Sequence, residues 1–434
     1  MSDLQRKLIG KSLPMGLPPK LGSQSSRGGR GGRMGGSLGR KSYKGVSWKQ
    51  YWRSKQFVKT DSGRWWVVVF SRHDGEVCSL PGRFCVYEGG SPTAGLVLCF
   101  LHGAGYSGLT WSLLARELAQ LVDCRLLALD LRGHGETETV EELELAGERM
   151  VKDVSSVLST LYSGQEVGVV LVGHSMGGAL AALLAEAGGV PGLLGLVVED
   201  VVEGTALEAL AGMHTVLQNR PKQFQSVEQA VEWAVRSGQV KNLESARVSM
   251  PGQVVNSRGV LAASTVEDSG LGEEGDGSAQ FVRASSVASI QEEEEEEEEV
   301  GESSETFKTP SQPPSQAGED RTPPQTFTGP EVWRWRIDLA RTEPHWRGWF
   351  QGLSARFLGV AGAKLLLLAG VDRLDRELTV GQMQGKFQMQ VLPQVGHTVH
   401  EDSPDKVAEV LAGFLVRNKF CQAQEGFKPG MIYH

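Results

Sequence analysis

The sequence predicts an α/β fold: a mostly parallel sheet with helices on both faces. Three observations carry that expectation. Short, continuous apolar runs alternate with helical stretches along most of the chain, as strands covered on both faces and their crossover helices do. One such run, 167–172, passes through Gly173-His174-Ser175-Met176-Gly177 into an Ala/Leu-rich helical stretch at 179–187. Two segments of quite different composition, 1–44 and 264–330, stand outside the alternation.

In chain order, residues 64–70 (RWWVVVF) and 83–87 read as two early strands, paired as a hairpin at the sheet edge. The apolar run 95–100 is a buried strand ending in His102-Gly103-Ala104-Gly105-Tyr106-Ser107. A helix over 111–121 and a strand over 125–129 follow, the strand ending in Asp130. A helix over 146–161 then leads into the 167–172 strand. The next buried strand, 193–198, ends in Glu199-Asp200. Helices over 205–217 and 226–237 break the alternation, and so does the stretch 332–358, dense in Trp and Arg. Together these pieces form a helical lid. The Trp and Arg residues of 333–349 suit a partner-binding rim and a lid core equally. Strands over 364–369 and 387–392 complete the sheet, and a helix starts after Pro404.

Composition bounds the folded part. Residues 1–44 carry ten Lys/Arg against one acid, and 264–330 carry seventeen Asp/Glu, including the unbroken 292–299 run, against three Lys/Arg. Neither segment has the apolar surface to offset the entropy of ordering itself. The expected organisation is a basic tail (1–44), a first part of the core with the start of the lid (45–263), a disordered acidic insert (264–330), and the rest of lid and core (331–434). The net charge of −8 resolves into +9 for the tail, −14 for the insert and −3 for the fold, so acidity says nothing about the site.

Five scattered cysteines match neither a disulfide framework nor metal spacing and suit a reducing compartment, cytoplasmic or nuclear. No apolar run reaches the roughly 18 residues of a membrane span, so no membrane partner is expected. The Arg/Gly-rich tail could meet RNA electrostatically, but a solvated tail is the favoured reading, and nucleic acid is not expected as a partner. Dinucleotide and P-loop glycine patterns are absent, and no cofactor is expected.

The chemistry centres on Ser175. A serine on a strand-to-helix turn this tight needs glycine two residues to either side, and the turn frees the N–H of Met176 to meet an oxyanion. A serine nucleophile needs a base, and the base needs an acid. His397, after the last strand, is positioned to be the base. The second oxyanion donor falls in 102–105, with Ala104 preferred and Gly105 second. His102, His134 and His174 flank tight glycine turns and read as structural, and His400 as a packing or hydrogen-bonding neighbour. For the acid, position along the chain favours Asp372, with Asp200 one strand earlier as the alternative.

The stretches 171–179 (LVGHSMGGA), 200–206 (DVVEGTA), 244–250 (ESARVSM), 364–374 (KLLLLAGVDRL), 381–393 (GQMQGKFQMQVLP) and 396–405 resemble the protein phosphatase methylesterases, a branch of the α/β-hydrolase fold. They span most of the presumed core, and 381–393 is far too specific for a generic esterase. Loop 102–107 (HGAGYS) departs from the family's more glycine-rich pattern. The resemblance implies a serine esterase that removes the methyl ester from the C-terminal leucine carboxyl of the type 2A protein phosphatase catalytic subunit, which is then its partner. It carries the nucleophile onto Ser175, the base onto His397 and, against chain position, the acid onto Asp200. The alternatives are a broad small-ester hydrolase and a non-catalytic phosphatase-binding protein.

Overall fold

The structure is a computed structural model, and it describes residues 42–60, 82–269, 331–370 and 374–428. Eight strands form one sheet: β1 (Ser54–Thr60), β2 (Gly82–Gly90), β3 (Leu96–Leu101), β4 (Arg125–Leu129), β5 (Gly168–His174), β6 (Leu193–Glu199), β9 (Ala363–Leu368) and β10 (Gln388–Val391). Their order is β1-β2-β4-β3-β5-β6-β9-β10. β2 is antiparallel to both β1 and β4, and the remaining neighbours are parallel.

Period-two alternation explains why the central strands are apolar throughout. Val97, Cys99 and Leu101 of β3, with Val169 and Leu171 of β5, enter the core on one face. Leu96, Leu98 and Phe100, with Val170 and Val172, enter the core on the other. Helices α2 (Gly147–Tyr162) and α3 (Met176–Glu186) cover the first face, and α1 (Ser112–Ala119) and α12 (Pro404–Arg417) cover the second.

Among the described residues, all the remaining α-helices but two short ones lie between β6 and β9. These are α4 (Glu203–Gln218), α5 (Val227–Ser237), α6 (Leu243–Ser249), α7 (Ala262–Ser269), α8 (Glu343–Phe350) and α9 (Leu353–Gly359). The two exceptions, α10 (Arg376–Met383) and α11 (Val399–Asp402), flank β10. α5 shows how locally the cap is specified. Ser226 accepts the Gln229 N–H at its start, and Gly238 ends it at φ 77°. The short strands β7 (Val254–Asn256) and β8 (Trp333–Trp335) pair antiparallel, and Asn256 Nδ2 donates to Glu331 Oε1 at 2.8 Å. That pairing joins the two stems of the acidic insert.

Three expectations need correction or qualification. The insert does not begin at 264: α7 continues to Ser269, and Glu267 Oε2 accepts from Trp48 Nε1 at 2.8 Å and Lys55 Nζ at 2.7 Å. Composition hid this, because only the small Ala262 and Ala263 at its start enter the cores, and Glu267 is held by polar contacts. The basic tail likewise ends before 44, since Tyr43 packs on the cap core and Lys44 O accepts from Arg247 Nε at 2.7 Å. The strand paired with β2 is β1, whose KQFVKT stretch is too polar to stand out. The expected strand at 64–70 lies outside the described residues.

Burial works against the Glu267 carboxylate, but hydrogen bonds from Lys55, Trp48 and Lys49 outweigh it and hold its pKa down at about 2. A depressed carboxylate stabilises the fold above its unfolded value and loses that contribution as pH falls through the folded one. Glu267→Gln should therefore cost about 1.5 kcal/mol near neutral pH. In chemical denaturation run across pH, the gap from wild type should close as the pH drops from about 4.5 towards 2. A gap independent of pH would remove the charge from the explanation.

Candidate active site

Ser175 sits between the end of β5 and the start of α3 at φ 52° and ψ −120°. This is strained backbone for a residue with a side chain, and it persists only where the surroundings fix it. The two glycines of the turn are what allow it. A β-carbon on Gly173 would stand 2.2 Å from Gly177 O, and one on Gly177 would stand 2.1 Å from Leu101 O. The Ser175 N–H donates to Glu199 O at 3.0 Å, and its carbonyl accepts from Gly178 and Ala179, tying the turn to β6 and to its own helix.

Asp200 follows β6 and is likewise held at positive φ, 49°. Its N–H donates to Leu367 O of β9 at 2.8 Å, and Oδ1 accepts the Ala369 N–H at 2.9 Å. Oδ2 meets His397 Nδ1 at 2.8 Å. The Asp200 carboxylate is buried, whereas the His397 side chain is 28% exposed. With Nδ1–H donated to the acid, the other ring nitrogen, Nε2, carries the lone pair. Of the two acids weighed from sequence, Asp200 is the one against His397; Asp372 lies outside the described residues.

The loop after β3 crosses directly over the serine. A β-carbon on Gly103 would come within 3.3 Å of Ser175 Cβ. Gly105 N–H is taken by His134 Nε2 at 2.9 Å. The Ala104 N–H, like that of Met176, donates to no acceptor among the described residues. The second-ranked donor, Gly105, is thus unavailable because its proton is already used. His102 and His134 act as pins for these turns: His102 Nε2 accepts the Leu131 N–H at 3.0 Å, and the Nδ1 atoms of the two rings bond to Gly103 O and Arg132 O. Burial lowers both pKa values, that of His134 to about 4, which keeps each ring neutral and able to accept.

Sequence reasoning missed a second buried array behind the first. His400 Nδ1 lies 2.9 Å from Glu199 Oε2, and its Nε2 lies 2.9 Å from Thr110 Oγ1. Its ring stacks on Trp111 with centroids 4.0 Å apart. Burial pushes the Glu199 carboxyl well up, helped by the Asp200 charge, and pushes His400 down to about 3. Both shifts disfavour the charged forms. The pair anchors the segment carrying His397, whose carbonyl also accepts from His174 Nε2 at 3.0 Å.

The cap reaches this loop. Leu339 Cδ1 lies 2.9 Å from where a β-carbon on Gly105 would stand. Arg336 grips Glu142 with both terminal nitrogens, at 2.9 and 2.7 Å, and also reaches Gly135 O and Thr137 O. Trp333, Trp346 and Trp349 are buried. Of the two roles weighed for the Trp/Arg stretch, these four serve cores and contacts: Trp333 sits in the cap core, Trp346 and Trp349 in the core on the first face of the sheet, and Arg336 straps the cap to Glu142, while Arg334 is exposed.

The model of the α/β hydrolase family matches residues 100–410. Protein phosphatase methylesterase 1 of Mus musculus is 46% identical over 429 residues, covering 99% of this chain and 98% of that protein. The chain belongs to the protein phosphatase methylesterase family. A Caenorhabditis elegans relative, described as a probable protein phosphatase methylesterase 1, is 35% identical over 96% of this chain and 87% of its own length. Among solved structures, an E-2-(acetamidomethylene)succinate hydrolase superposes with a TM-score of 0.52 at 16% identity, covering 84% of this chain and 100% of that one. That likeness speaks to fold alone. By family and fold together, this member of the methylesterase family is a carboxylic ester hydrolase.

Proposed function

We propose that this chain hydrolyses the methyl ester on the C-terminal leucine of the type 2A protein phosphatase catalytic subunit, with Ser175, His397 and Asp200 as nucleophile, base and acid. The observation that carries the reading is the 2.8 Å contact between His397 Nδ1 and a buried Asp200 carboxylate beside a strained serine turn. The near full-length likeness to protein phosphatase methylesterases supports the choice of substrate.

Ser175 Oγ attacks the ester carbonyl while His397 Nε2 takes its proton, and Asp200 stabilises the imidazolium that forms. The carbonyl oxygen becomes an oxyanion facing the N–H groups of Met176 and Ala104, each worth about 2.7–4 kcal/mol to the transition state. Methanol leaves with the proton from His397. Water, deprotonated by the same nitrogen, then releases the free carboxylate and regenerates the serine. Buried free thiols at Cys85, Cys99 and Cys124 suit a cytoplasmic or nuclear setting.

A specialist needs the surface of its partner as well as the ester. Its kcat/KM on the carboxyl-methylated phosphatase should exceed that on a free short peptide methyl ester by about a hundredfold or more. Equal values would favour a broad small-ester hydrolase.

A further inference from the structure

We propose that Arg220 is a specificity-determining residue that receives a carboxylate of the protein substrate at the mouth of the site. The inference rests on the methylesterase reading above and deepens it.

Arg220 lies just beyond α4, in the cap. Its guanidinium carbon stands 3.6 Å from the centroid of the Trp335 ring and 5.9 Å from that of Trp233. The platform is itself fixed: Trp335 Nε1 donates to Pro221 O at 2.8 Å, and Phe224, Trp233 and Trp335 pack edge to face. A guanidinium held this close over an indole has already given up part of its rotamer freedom before any ligand arrives. Arg220 Nη1 stands 3.8 Å from the β-carbon position of Gly105, one residue beyond Ala104 in the loop over the serine.

The pairing of Arg220 is what sets it apart. Arg336 in the cap and Arg132 in the loop after β4 each hold a carboxylate with two nitrogens. Arg220 holds none among the described residues, and its Nε is buried without a hydrogen-bond partner. Burial brings its pKa down to about 10, which leaves it charged at neutral pH. Arg220 is half-buried; a partly desolvated cation without a counter-charge is still costly, and its contact with one indole offsets only part of that cost. Five donors in a rigid fork match a carboxylate held by two parallel bonds. The substrate can supply one from two sources: an acidic side chain near the esterified residue, or the C-terminal carboxylate that hydrolysis creates.

The experiment uses the phosphatase catalytic subunit, with a synthetic methyl-ester tail free of acidic side chains ligated to it. Further versions carry one Asp, or one Asn, at successive positions before the esterified leucine. Ester loss is followed by intact mass with wild type, Arg220→Lys and Arg220→Gln. The ratio of kcat/KM for Asp over Asn cancels any general loss in a variant. For a side-chain carboxylate, wild type should favour Asp at one position by roughly ten- to hundredfold. Arg220→Gln should bring that ratio to near one, and Arg220→Lys, which keeps the charge without the fork, should fall between. For the product carboxylate, the ratios should not move, and inhibition by the demethylated acid-free protein should weaken about tenfold or more in Arg220→Gln. If neither the ratio nor the inhibition changes, Arg220 only packs on Trp335 and the proposal is overturned. Wild type failing on every methylated version, by contrast, would remove the protein-ester reading itself.

Discussion

Replacing Ser175 with alanine should lower hydrolysis of the methylated phosphatase by about 10⁶ while leaving the protein folded and still able to bind its substrate. The size of the effect follows from what the residue does. Without Oγ no acyl-enzyme forms, and His397 has no proton to accept. The specificity of the effect follows from the turn. The Ser175 hydroxyl carries no hydrogen bond among the described residues, and the strained backbone is held by Glu199 O, by Gly178 and Ala179, and by the space that Gly173 and Gly177 leave. Alanine adopts the same backbone at similar cost. Thermal denaturation should show a midpoint close to wild type, and residual turnover above about one part in 10³ would place the nucleophile elsewhere.

Asp200→Asn should cost about 10⁴ in turnover with little change in fold. Asparagine is among the residues that best tolerate positive φ, so the 49° backbone is no obstacle. Its amide oxygen can still accept the Ala369 N–H that Oδ1 holds at 2.9 Å. The amide group then faces His397 Nδ1 with N–H instead of a carboxylate oxygen. The ring responds by carrying its proton on Nε2, where it cannot take one from Ser175, and no negative charge remains to stabilise the imidazolium. Steady-state kinetics with circular dichroism as the folding control checks this. Asp372→Asn should be nearly silent in the same assay, and near-complete loss there with full activity in Asp200→Asn would reverse the assignment.

Local sterics made the nucleophile legible in the sequence. A Gly-x-Ser-x-Gly stretch between an apolar run and a helical run admits few other geometries. At Gly173 and Gly177 a β-carbon would meet backbone atoms, which no side-chain movement can relieve. The acid was not legible from spacing, because β6 and β9 are neighbours in the sheet and a carboxylate after either one can reach the loop after β10. Chain position left Asp200 as the alternative to Asp372, and the family resemblance chose it. The Glu199–His400–Thr110 array stayed hidden because its members are 201 and 290 residues apart, and each alone looks like a satisfied core polar residue. The end of α7 was missed for the opposite reason: Glu267 reads as part of an acidic run until Lys55 and Trp48 are seen to surround it. The Trp-rich stretch was ambiguous in sequence because tryptophan serves cores and interfaces alike.

The most direct test of a Ser175-dependent protein methylesterase is the intact mass of a carboxyl-methylated phosphatase catalytic subunit incubated with the enzyme. Wild type should remove one methylene's worth of mass from the C-terminal residue and nothing elsewhere, while Ser175→Ala should leave the mass unchanged over the same interval. Demethylation by Ser175→Ala at the wild-type rate would contradict the account, as would a wild-type enzyme that cleaves small esters but leaves the methylated protein intact.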